Sequence, residues 1–99
     1  MTDAQRLEAI VHGRVHGVGF RVHAIGVARR LGLHGWVANE PAGRVRVVAE
    51  GAPDRLRELI AALRTGPPAA LVERVDEAWS PATGDLPAFE IRSGWHAGD

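Results

Sequence analysis

The chain has 99 residues, too few for more than one hydrophobic core, so a single domain spanning 1–99 is expected. Apolar residues at 45% and charged residues at 24% describe a folded globular protein. Twelve basic side chains balance twelve acidic ones, which leaves no cationic surplus for general nucleic-acid or anionic-membrane binding.

Cysteine is absent, which removes disulfides, thiolate metal sites and cysteine nucleophiles. Every basic residue is Arg, so a Walker-type lysine and Schiff-base chemistry are excluded, and no tyrosine is present to supply a phenol. No segment approaches the roughly 18 consecutive apolar residues of a membrane helix. The polar start Met-Thr-Asp-Ala-Gln-Arg does not read as a signal peptide, and a cytoplasmic location is expected.

Residues 7–12, Leu-Glu-Ala-Ile-Val-His, alternate in part and predict a first strand ending at Gly13. Ala24, Val27, Ala28 and Leu31 follow the i, i+3, i+4, i+7 rule of one helix face. Arg29 and Arg30 fall in its last turn and Gly32 can close it. Residues 34–39 and 44–50 predict two strands joined by the turn Glu40-Pro41-Ala42-Gly43. Pro53 and Asp54 suit a helix start, Leu56, Leu59, Ile60 and Leu63 give a second apolar stripe, and Gly66-Pro67-Pro68 stops it.

Residues 70–79 predict a fourth strand with weaker alternation, and 88–92 a short terminal one. The tail beyond Ser93 is expected to fray. The order strand, helix, strand, strand, helix, strand predicts an α+β, ferredoxin-like split βαββαβ sandwich with a core over about 7–92. Its sheet is expected to be antiparallel, with two helices on one face and a short C-terminal strand. That fold carries many functions, so the site must decide.

The run Gly13-Arg14-Val15-His16-Gly17-Val18-Gly19-Phe20-Arg21 leaves a strand and enters a helix through three glycines. Glycines let backbone amides approach a ligand, and a helix start adds unpaired N–H groups with partial positive charge. On this pattern alone, an anion nest and an ordinary glycine-rich turn are equally good readings. The run resembles the acylphosphatase signature: glycine, a basic residue, valine, glutamine, glycine, valine, any residue, an aromatic and arginine. A second stretch, Gly32-Leu33-His34-Gly35-Trp36-Val37-Ala38-Asn39 followed by Gly43-Arg44-Val45, is similar to that family's other motif.

The resemblance implies hydrolysis of the carboxyl–phosphate bond of a small acyl phosphate, without metal or cofactor. By position it makes Arg21 the phosphate-binding arginine and Asn39 the residue that positions water. It also places the phosphate against Val15, His16, Gly17, Val18, Gly19 and Phe20. The chemistry suits these residue types: a guanidinium offers a planar fork to two phosphoryl oxygens. An amide side chain orients water without ionising. The partners implied are a small-molecule substrate only, with no nucleic acid or membrane, and a monomer is expected.

Three positions depart from the pattern. His16 replaces the family's glutamine and reads either as an added charge in the cradle or as a solvent-facing loop residue. Gly19 occupies the variable position and is expected to loosen the loop. Ala42 stands where an aspartate is usual in the turn, which is expected to weaken it. His12 and His16 are four apart, a spacing that suits a metal only on a helix. Ser80, Ser93 and Thr65 read as loop or surface hydroxyls, and Arg44 and Arg46 as a solvated strand face. Trp36 and Trp79 are expected in or beside the sheet, and Trp95 against the body. Phe20 reads as a loop residue, which counts against base stacking by an RNA-recognition domain. The competing reading is a non-catalytic phosphate-binding or interaction module of the same fold.

Overall fold

In the computed structural model, residues 3–92 are described; the tail and Trp95 lie outside them. The elements are β1 (Gln5–Arg14), α1 (Phe20–Arg30), β2 (His34–Asn39), β3 (Val45–Gly51), α2 (Pro53–Thr65), β4 (Leu71–Pro81) and β5 (Glu90–Ile91), with one 3-10 turn at Pro41–Gly43. They form one five-stranded sheet in the order β4-β1-β3-β2-β5.

The helix stripes fold as their periodicity demands. Leu56, Leu59, Ile60 and Leu63 are all buried on α2, with Pro53 at its start and Asp54 in its first turn. On α1 the buried set is Phe20, Ala24, Val27 and Ala28, while Leu31 caps the helix end. Phe20 is therefore not a loop residue: it is the first residue of α1 and only 1% exposed, because the loop before it drives the ring into the core. Both helices cover the sheet face formed by Leu7, Ala9 and Val11 on β1 and by Val45, Val47 and Ala49 on β3.

β1 runs further than alternation suggests, whereas β5 covers only Glu90–Ile91 of the expected 88–92. β1 takes in Gln5 and Arg6 before the expected start and Gly13 and Arg14 beyond the expected stop. β4 is an edge strand, so only Val72 and Val75 pack against the core, which explains its weak alternation. Between His12↔Arg74 and Gly13↔Val72 the register skips Glu73, a bulge in β4. A Cβ on Gly13 would lie 2.1 Å from the Leu71 carbonyl oxygen, so the bulged backbone occupies the space a side chain would need.

The sheet is mixed rather than wholly antiparallel, because β5 pairs with β2 in parallel. The chain leaves β4 beside Gln5, crosses the sheet end, and arrives where β2 itself begins, marked by a bridge between His34 and Ala88. Starting at the same end, the two strands must share a direction. The crossing is fixed by Glu50, a carboxylate only 5% exposed. It accepts hydrogen bonds from the Thr83 amide at 2.9 Å, the Thr83 hydroxyl at 3.0 Å and the Gly84 amide at 3.0 Å. Arg6 Nε lies 3.5 Å from the same carboxylate.

Burial alone would push the Glu50 carboxyl up, but the Thr83 and Gly84 donors and the Arg6 charge outweigh it and hold it below its ordinary value. A carboxyl held low in the folded state adds stability above its unfolded pKa, and that stability is lost as pH falls through the folded value. Glu50→Ala is expected to cost about 2 kcal/mol in urea unfolding at neutral pH, since it removes hydrogen bonds to a charged acceptor that fix the crossover. It should also flatten the loss of stability that the parent shows on acidification below about pH 4.3.

The turn after β2 holds Ala42 at φ 67° and Gly43 at φ 81°. A left-handed alanine costs roughly 1–2 kcal/mol, partly offset by the stiffness alanine lends the unfolded chain. Ala42→Gly should raise stability by about 0.5 kcal/mol in the same unfolding assay.

Candidate active site

Val11, Val45 and Asn39 lie opposite one another in a row across β1, β3 and β2. All three are buried, and residues opposite each other in an antiparallel sheet share a face, so Asn39 stands on the helix-covered face. The row marks the end of the sheet at which β1 gives way to residues 15–19 and α1 begins. Asn39 and the glycine-rich loop are thus brought to one end and one side of the sheet.

The loop is fastened by its apolar side chains. Val15 and Phe20 are each 1% exposed, and Val18 packs against the core, while Gly17 and Gly19 face solvent. Gly19 has φ 79° and Gly17 φ 69°, conformations that L side chains avoid. Gly19 is the N-cap of α1, so the variable-position glycine does more than loosen the loop: it lets the chain turn into the helix. Among the described residues, the amides of His16, Gly17, Val18, Gly19 and Phe20 have no protein acceptor.

Among the described residues, no side chain caps α1, and its first turn holds no acidic residue. The positive end of the helix dipole lies there, and the loop amides stand beside it. Arg21, half-buried, occupies that first turn and adds a permanent charge at the same end. This arrangement can hold an anion with several oxygens.

Asn39 is 5% exposed, yet its amide makes no hydrogen bond within the described residues. Nor is it among the side chains with fully enclosed unpaired atoms, so its polar atoms reach solvent at the site. A nearly buried amide with donor and acceptor both unused is equipped to fix a water molecule.

The residue after it, Glu40, is clamped from the far face of the sheet. Its Oε2 accepts from Arg46 Nε, and Arg46 Nη1 bonds Glu8 in turn. Arg44 Nη2 approaches Glu40 Oε1 at 3.5 Å. Glu40 holds the Arg46 guanidinium more firmly protonated than usual, against a smaller opposing effect of burial. Arg46 is therefore not part of a freely solvated face, as alternation suggests; it is half-buried in an ion-paired chain that joins Glu40 to the distant Glu8.

His16 departs from both sequence readings. Its ring is half-buried, and Nε2 donates to the Arg44 carbonyl at 2.6 Å. His12 lies on the opposite face and bonds Asp76 at 2.9 Å, so the two histidines do not converge. Thr65 donates back to the Ala61 carbonyl within α2, at 3.3 Å. Trp36 lies under the Arg92 guanidinium at 5.1 Å, a cation–π contact beside β5, and Trp79 stands on the edge strand. Sequence reasoning missed Glu40 and Glu8, which carry no motif signal, and gave Glu50 no role. Among the described residues, no helix is long and apolar enough to cross a membrane.

Residues 7–91 match the family model described as acylphosphatase. An acylphosphatase of Anaeromyxobacter dehalogenans is 47% identical over 92 residues, covering 93% of this chain and 99% of that protein. One of Nocardia farcinica is 48% identical over 90 residues, covering 91% of this chain and 90% of the relative. The crystal structure of acylphosphatase from Bacillus subtilis superposes with a TM-score of 0.86 at 34% identity, over 89% of this chain and 98% of that one. With fold, motifs and full-length relatives in agreement, the chain belongs to the acylphosphatase family and hydrolyses an acyl phosphate to a carboxylate and inorganic phosphate.

Proposed function

We propose that the backbone amides from Val15 to Phe20, with the Arg21 guanidinium, hold the phosphoryl group of a small acyl phosphate while Asn39 places the attacking water. The water oxygen forms a bond to phosphorus as the phosphorus–oxygen bond to the carboxyl group breaks. The electron pair leaves with the carboxylate, and the water proton passes to a phosphate oxygen. The nearly buried, unpaired amide of Asn39, on the face and at the end where the loop amides lie, carries this reading.

The division of labour follows from the chemistry. A carboxylate is a good leaving group, so positioning and charge stabilisation can supply most of the acceleration. The loop amides are fixed in place by Val15, Val18 and Phe20, so they need not reorganise as charge shifts among the phosphoryl oxygens. Arg21 adds a donor fork that a lysine would lack. In this reading the enzyme works as a monomer in the cytoplasm and uses neither metal nor cofactor.

Arg21→Ala should lose at least about 2.7–4 kcal/mol of transition-state stabilisation, and Arg21→Lys should recover little of it. Both are measured by initial rates on a simple acyl phosphate with chelator present; near-normal turnover by Arg21→Ala would overturn the assignment. Asn39→Ala should reduce kcat far more than it weakens inhibition by inorganic phosphate. Equal losses in the two would mean that Asn39 holds the anion and does not place water.

A further inference from the structure

Beyond the Val11↔Val45 pair, β1 and β3 part company. His12, Gly13 and Arg14 continue only alongside β4, past the bulge at Glu73. On the other side of the split, β2 ends at Asn39, paired with Val45, and Glu40 leads into the turn that precedes β3. The phosphate loop therefore lies past the last row of pairing, the row in which Asn39 stands, and no strand pairing joins it to the turn that follows Asn39.

One side chain crosses the gap. The Arg44 carbonyl, just before β3, accepts the Glu40 amide at 2.8 Å, which closes the turn behind Asn39. A carbonyl oxygen has two lone pairs. The second is taken by His16 Nε2 at 2.6 Å, from within the phosphate loop. Among the described residues, this is the hydrogen bond that joins residues 15–19 to residues 39–44. Because the acceptor is a carbonyl, Nε2 must carry the hydrogen, which either the Nε2–H tautomer or the imidazolium supplies.

We infer that His16 is a positioning residue: through the Arg44 carbonyl its side chain sets the distance between the phosphate loop and Asn39. Resting on the roles given to the loop and Asn39 above, the inference gives the ring no contact with phosphate. The backbone amide of His16 stays in the cradle while its side chain points to the turn. Misplacement of reacting groups by about 1 Å can cost 10²-fold in rate, so a tie of this kind acts on turnover and not on anion affinity.

The test uses two variants of nearly equal reach, His16→Met, which has no donor, and His16→Gln, which restores one. His16→Met should lower kcat by roughly 10- to 100-fold while inhibition by inorganic phosphate changes less than about twofold. His16→Gln should recover most of that loss. Unchanged turnover in His16→Met, a parallel weakening of phosphate inhibition, or no recovery in His16→Gln would each overturn the inference.

Thermal unfolding of each variant establishes that it is folded. A cross-hydrogen-bond NMR coupling between His16 Nε2 and the Arg44 carbonyl carbon of the parent protein decides the contact without reference to activity. Its presence is expected, and its absence would overturn the inference even if the variants failed to fold. Arg21→Ala, run in the same assay, separates the two failures. Full activity there would end the catalytic reading, whereas an absent coupling with Arg21 still essential would end only the role of His16.

Discussion

The site depends on amide groups that the fold declines to pair with one another. A helix start leaves N–H donors without partners, and a loop pinned by Val15, Val18 and Phe20 holds further donors in the same state. Elsewhere side chains take up free backbone groups: Arg29 and Arg55 donate to the carbonyls of Phe89 and Leu31, and Glu50 accepts from the amides of Thr83 and Gly84. Among the described residues, the amides from His16 to Phe20 are left without a protein acceptor at one end of the sheet. The apolar anchors make this possible, because they keep the loop from folding back and consuming its own amides.

A second constraint follows from using a sheet to bring two distant segments together. The glycine-rich loop belongs to the β1–α1 connection and Asn39 to the end of β2, and β3 lies between their strands. Pairing through β3 fixes the row Val11, Val45, Asn39, but its influence ends there. Past that row the geometry relies on side chains: Arg46 and Arg44 behind Glu40, and His16 across the opening. The side chains that bridge these segments are therefore polar and half-buried.

Much of the fold was legible in the sequence because its signals are periodic and local. The stripe on α2 buries every residue that the spacing selects, and β2 begins and ends where its residues predict. The direction of β5 was not legible, since alternation is the same for parallel and antiparallel strands. Phe20 was misread because flanking glycines signal a loop, whereas its burial comes from a helix that starts one residue later than Gly19. For the site, the motif order pointed to the loop and Asn39, and the fold brings the two to one end of the sheet. The fate of the His16 ring was not, because its acceptor is a backbone oxygen 28 residues away and no side-chain type announces it. Arg46 failed for the same reason, its partners lying on two other segments.

The Glu50 clamp sits at the opposite end of the sheet from the row that ends in Asn39. The two ends answer to different demands, one gripping a chain crossover and the other admitting a ligand. Selection for heat tolerance could therefore act on the crossover while leaving the reactive end untouched, sparing this small protein the usual trade between rigidity and catalysis.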